Sequence, residues 1–166
     1  MTIDQKTFLQ SACIAARKAG HIFPEMAACE AALESGYGKS ELAVKDKNLL
    51  GMKQHRHAIY GTHTLPTKEV ENGEWIQTQA AWVSYPDWAS CFADRMATLS
   101  RLASTFPHYA AALSAASPEI YIMEVSRTWA TDRKRAAKCL EIYDAMNGQW
   151  KAPLVIAPDL GGEISV

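Results

Sequence analysis

Apolar residues recur at spacings of three and four over most of the chain, which predicts a mostly helical protein. The first such run spans about Gln5 to Lys18, with Phe8, Leu9, Ala12, Cys13 and Ala16 on one stripe. Asp4 or Thr7 is the expected cap. After Gly20-His21 a second run, FPEMAACEAALE, begins at Pro24 and stops at Gly36. Pro suits a first helical turn and Gly a helix stop. This helix is rich in alanine and carries Met26 and Cys29, so burial on all sides is expected rather than an amphipathic face. A short helical turn follows from Lys39 to Val44. Four more helical runs are predicted after Pro86: Trp88 to Ser104, Pro107 to Leu113, one starting at Pro118, and Arg133 to Met146 capped by Asp132.

The pattern changes between Thr62 and Ser84, where Thr, Val, Ile, Trp and Gln replace alanine. Asn72-Gly73 between two such runs predicts a hairpin, with arms His63 to Glu71 and Glu74 to Val83. Upstream, Asn48-Leu49-Leu50-Gly51-Met52-Lys53 is compact and apolar, and its glycine marks a bend where the backbone meets something closely. The expected fold is mainly α (α+β), with a single domain over 1–150 and a β-hairpin at about 62–84. Residues 151–166 form an extended or disordered tail.

Composition narrows the function. The chain has 166 residues, 48% hydrophobic and 21% charged, with a net charge of −1. That is an ordinary globular balance and offers no broad field for nucleic acid. The N-terminus lacks the apolar core of a signal peptide, and no apolar run is long enough to span a membrane. Cys13, Cys29, Cys91 and Cys139 lie in apolar helical contexts without C-x-x-C spacing and read as buried thiols. His55, His57 and His63 lack a carboxylate at ligand spacing, so no metal and no cofactor are expected.

One carboxylate stands out. Glu34 ends the buried helix, at the negative end of its dipole, with Glu30 one turn earlier on the same face. Both neighbours favour the protonated carboxyl, and a protonated carboxyl in a cleft is a general acid. The hairpin arm that carries Glu69 would form the other wall of a groove, and Glu71 shares its face.

ALESGYGKSELA, NLLGMK, KEVENGEW and the late WATD together resemble the glucosaminidase domain of glycoside hydrolase family 73, from roughly Phe8 to Met146. That family includes flagellum-associated peptidoglycan hydrolases, autolysins and phage lysins. The resemblance implies a lysozyme-like helical domain with a small β-lobe flanking a cleft. It also implies cleavage of the β-1,4 bond after N-acetylglucosamine in peptidoglycan. By motif, Glu34 matches the catalytic acid, Glu69 the second carboxylate (Glu71 if the register slips), and Asn48 and Lys53 a segment bordering the cleft. Tyr37 stands where the family often has Trp, and Trp129 where it usually has Tyr. Of the candidate sugar-stacking aromatics Tyr37, Trp82, Tyr85, Tyr121 and Trp129, the first and last adjoin the motifs and are preferred.

A muramidase, a lytic transglycosylase or a non-catalytic glycan-binding module are the competing readings. The expected partner is peptidoglycan, met by a monomer. With no visible signal peptide, a phage lysin or an effector delivered by a secretion machine fits, and an injected effector would call for an immunity protein that plugs the cleft.

Overall fold

The computed structural model describes residues 1–71 and 74–150, and the side chains of all of these except 67–71 and 74–76. The predicted tail, 151–166, lies outside the described residues. The elements in order are α1 (Ile3–Lys18), α2 (Pro24–Ser35), α3 (Glu41–Asp46), β1 (Thr62–Glu71), β2 (Glu74–Val83), α4 (Trp88–Leu102), α5 (Pro107–Leu113), α6 (Pro118–Trp129) and α7 (Arg135–Met146). The protein is mainly helical with one two-stranded antiparallel sheet, as the sequence pattern predicts.

Two helix starts differ from expectation. Thr2, not Asp4 or Thr7, caps α1: its side chain accepts from Gln5 N, and Gln5 Oε1 accepts from Thr2 N at 2.8 Å. This reciprocal pair satisfies two orphan donors at once, which a single Asp or Thr cap cannot do. At α7 the N-cap is Lys134, without a side-chain bond. Asp132 instead closes the preceding turn, accepting from Lys134 N at 2.9 Å and from Arg135 N through its carbonyl.

α2 is the axis of the helical body and packs against α1, α6 and α7. Met26 through Ala32 are all buried, so this helix has no solvent face over two turns. Small alanines let its neighbours approach closely, and the alanines and Cys29 fill the gap between α1 and α7. All four cysteines are free and buried. Burial holds the Cys13 thiol up at about 11 and that of Cys91 at about 12, so they behave as small hydrophobes.

The hairpin joins this body through the 48–54 segment. Lys53 bridges to Trp82, Gln54 N donates to Ala81 O, and Val83 N donates to Met52 O. Gly51 has φ 60°, and a Cβ there would lie 3.8 Å from the Trp82 ring, so the close approach expected of this glycine is to an indole. In the register of the hairpin Glu69 pairs with Ile76 and Glu71 with Glu74.

Candidate active site

Glu34 lies in the last turn of α2, and the chain beyond it is locked by backbone conformation. Gly36, Tyr37 and Gly38 all adopt left-handed φ, at 59°, 58° and 76°. Gly36 N donates to Ala32 O, and Ser35 Oγ accepts from Gly38 N at 2.8 Å while donating to Ala31 O. A Cβ on Gly38 would meet Phe8 at 2.7 Å. The Glu-Ser-Gly-Tyr-Gly run is therefore a rigid stop that fixes where the Glu34 side chain begins.

The far end of that side chain is fixed by α7. Arg135 Nε donates to Glu34 Oε1 at 2.8 Å, and Arg135 Nη2 donates to Glu30 Oε1 at 2.7 Å. Glu34 keeps 30% of its side-chain surface exposed, against 2% for Arg135 and 1% for Glu30. The like-charge contact expected between Glu30 and Glu34 is thus bridged by a guanidinium.

Glu30 is the centre of a buried network. Arg95 Nη2 donates to Oε1 at 2.9 Å, and the Tyr121 hydroxyl donates to Oε2 at 3.2 Å. His21 Nε2 lies 3.2 Å from the Tyr121 oxygen, and His21 Nδ1 accepts from Phe23 N at 3.1 Å. That backbone bond assigns the tautomer: Nδ1 is the acceptor, so Nε2–H faces Tyr121 and the tyrosine proton is free for Glu30. Burial alone would raise Glu30, but the charges of Arg95 and Arg135 outweigh it and hold the carboxyl at about 2. Burial is also the main force on His21, lowering it to about 4, and on Tyr121, which is pushed up.

Arg95 connects this network to Trp129. Its guanidinium carbon lies 3.3 Å from the centroid of the indole. Arg95 is fully buried, and among the described residues its Nε and Nη1 have no hydrogen-bond partner. The aromatic face takes the place of those partners. One face of Trp129 is thereby covered, and the Tyr109 ring lies 6.3 Å from the indole.

Trp129 forms part of the wall of two cavities. One, of about 670 Å³, is lined by Ser126, Thr128, Ala130, Thr131 and Ala136 among others. The second, of about 840 Å³, includes Lys53, His55, Trp82, Arg101 and Tyr109. Glu34 lines neither of them. It borders the first through Arg135, whose Nη1 donates to Ser126 Oγ at 3.1 Å.

The structure brings Lys53 and Trp129 to the same cavity, with Lys53 Nζ 5.6 Å from the Trp82 ring centroid. Asn48 lies inside the bend that leads to Lys53. It is 1% exposed, and its amide is spent within the chain: Nδ2 donates to Met52 O and Val83 O, and Oδ1 accepts from Met52 N, each at 2.9 Å. These bonds fix the segment whose Met52 and Lys53 line the second cavity. Tyr37 packs edge-on against Phe8 at 6.1 Å, away from the two cavities around Trp129. The side chains of Glu69 and Glu71 lie outside the described residues. Tyr85 and Tyr121 are core residues, whereas Trp82 is a half-buried cavity wall.

The histidines pair with neighbours: His55 Nε2 lies 3.1 Å from Asp94, which also accepts from the Tyr85 hydroxyl at 2.6 Å, and His63 Nδ1 lies 3.0 Å from Asp46. Among the described residues no group of side chains has the arrangement of a metal site.

Sequence reasoning missed Arg95, Arg135 and the His21–Tyr121 pair. A signal was present: two carboxylates four apart on a helix with no polar face require buried cations, and Arg95 and Arg135 both sit in apolar helical runs.

Comparison with known proteins agrees with this fold. Residues 10–148 match the family described as glucosaminidase, mannosyl-glycoprotein endo-β-N-acetylglucosaminidase. The peptidoglycan hydrolase FlgJ of Pseudomonas aeruginosa is 31% identical over 137 residues, which cover 80% of this chain. The match spans only 34% of that relative's length. Among solved structures, the catalytic domain of the autolysin Auto from Listeria monocytogenes superposes with a TM-score of 0.75 at 24% identity, covering 91% of this chain and 89% of that one. A C-terminally truncated glycoside hydrolase domain of Salmonella typhimurium FlgJ gives 0.67 at 27% identity, covering 86% and 97%.

Proposed function

Because the chain belongs to the glucosaminidase family of glycoside hydrolases, we propose that it is a peptidoglycan endo-β-N-acetylglucosaminidase with Glu34 as its general acid. The observation that carries this reading is the Glu34–Arg135 pair. A half-buried carboxyl at the rigid end of a buried helix has one oxygen held by a guanidinium at 2.8 Å. The other oxygen, Oε2, has no partner among the described residues and is the one free to meet a ligand.

In this reading Glu34 Oε2 gives its proton to the glycosidic oxygen as the C1–O bond breaks and positive charge develops on the sugar. Glu69 on β1 is the proposed second carboxylate, activating water on the opposite face or stabilising the cation. Attack by the substrate's own N-acetyl oxygen is the other route, and it needs no second carboxylate. Trp129 stacks on a sugar ring, and Lys53 lines the same groove. Tyr37 helps hold the Glu34 loop through its contact with Phe8.

Residues 1–150 are the proposed catalytic unit, acting as a monomer on cell-wall glycan. No helix among the described residues is long and apolar enough to cross a membrane. Release through a phage-lysed membrane or delivery by a secretion machine is the proposed route to the wall. In the second case an immunity protein filling the groove is the expected antagonist.

The test is end-group analysis of digested peptidoglycan by mass spectrometry. Reducing-end N-acetylglucosamine supports the reading. Reducing-end N-acetylmuramic acid would make the protein a muramidase, and an anhydro-sugar a transglycosylase. Glycan binding without any cleavage would make it a binding module.

A further inference from the structure

The larger cavity beside Trp129 has a basic end that the proposed glycan chemistry does not use. Arg56 and His57 lie on the turn after the 48–54 segment, and Arg101 lies in the last turn of α4; all three line the cavity. Arg56 Nε donates to His57 Nε2 at 2.9 Å, and Arg101 Nη2 donates to Thr98 Oγ1 at 3.1 Å. Among the described residues, neither guanidinium has a carboxylate partner. The surrounding water is reduced, and the charges of Arg101 and Arg56 add to that effect, so His57 is held below its ordinary value. On a chain with net charge −1, this is a local concentration of positive charge inside a concave site, not an overall basicity.

The chemistry of the substrate says what such a site would meet. Amino-sugar rings are neutral, and the lactyl carboxyl of N-acetylmuramic acid is neutralised once a peptide is amide-linked to it. The negative charge of a peptide-bearing strand is then on the carboxylates of the stem peptide. Guanidinium forks match carboxylates in geometry and charge.

Resting on the hydrolase reading above, we propose that Arg56 and Arg101 form a subsite for the carboxylates of the stem peptide. The glycan then runs along the Trp129 wall while the peptide hangs toward α4. Substrate with intact peptides is preferred over bare glycan, and the preference is electrostatic.

The test is equilibrium binding, read separately from cleavage. The full chain is titrated with a soluble disaccharide-tetrapeptide and with the same compound carrying amidated carboxyls. Loss of a charge-assisted contact is worth about tenfold in affinity. Amidation is therefore expected to raise Kd about tenfold for the wild type and to leave it unchanged for Arg56→Gln/Arg101→Gln. Added salt is expected to weaken the free-acid ligand only in the wild type. The single variant Arg56→Gln, at an exposed position, provides an intermediate readout if the double variant is unstable. Equal Kd values for the two ligands on the wild type would overturn the proposal, as would tighter binding of poly(glycerol phosphate) than of the peptide. Failure of the hydrolase reading would show elsewhere, as intact glycosidic bonds.

Discussion

Arg135 reaches back from the first turn of α7 to hold Glu34 at 2.8 Å, while another nitrogen of the same guanidinium holds buried Glu30 at 2.7 Å. One side chain therefore both neutralises the core and aims the proposed acid. Removing it should hurt stability and catalysis together. Arg135→Met leaves Glu30 with half of its cationic support, and losing one partner of a buried ion pair costs about 3–5 kcal/mol. Arg135→Lys keeps the charge but cannot fork to both carboxylates. Urea denaturation should show a large loss for Met and a smaller one for Lys, with glycan hydrolysis reduced in both. An Arg135→Met protein as stable as the wild type would remove the network from this account.

Trp129 depends on Arg95 in the same way. Trp129→Phe keeps an aromatic face over the guanidinium and should remain folded with reduced glycan affinity. Trp129→Ala uncovers a fully buried arginine whose Nε and Nη1 have no other partner among the described residues. That should cost about 2–3 kcal/mol in thermal or urea unfolding. Equal stability of the Phe and Ala variants would count against the stacking argument.

The His21–Tyr121–Glu30 relay makes stability depend on pH. His21 falls from 6.5 to about 4 on folding, chiefly through burial. Its contribution is complete above pH 6.5 and is lost as pH falls toward 4, because the unfolded chain binds a proton the native one refuses. The full effect is on the order of 3 kcal/mol. Glu30, at about 2, adds its own loss only below about pH 4.5. Unfolding free energy should therefore decline between pH 6.5 and 4, and His21→Phe should flatten that slope. An unchanged slope in the variant would assign the pH dependence elsewhere.

The two glycines after Glu34 are separable. Both have left-handed φ, but only Gly38 faces another side chain, Phe8 at 2.7 Å. Gly36→Ala should cost about 1 kcal/mol, from backbone strain alone. Gly38→Ala adds overpacking and should cost about 2–4 kcal/mol. Melting temperatures falling in the reverse order would contradict the packing described for this loop.

The helices and the hairpin were legible because their signals are local: alanine-rich periodicity, prolines at helix starts, and Asn72-Gly73 between two β-rich runs. Gly36 and Gly51 marked their turns for the same reason. The motif around Asn48 was visible, but the three backbone bonds of its amide come together only in the folded chain. Glu30 and Glu34 were recognised as a pair, but the cation between them arrives from a helix about a hundred positions later. Long-range ion pairing leaves no periodicity to detect, so Arg95 and Arg135 passed as ordinary helix residues. The N-terminal cap was missed for a smaller reason: the Thr2–Gln5 pair begins the helix two residues before its first apolar stripe.

Glu34→Gln tests the central claim most directly. The amide oxygen can still accept from Arg135, so the fold and the melting temperature should be retained. What is lost is a transferable proton, and general acid catalysis contributes about 10²–10⁴-fold. Release of reducing ends from purified peptidoglycan should fall by that factor in a protein that still binds glycan. A variant that folds and cleaves within a few-fold of the wild type would show that another group supplies the proton.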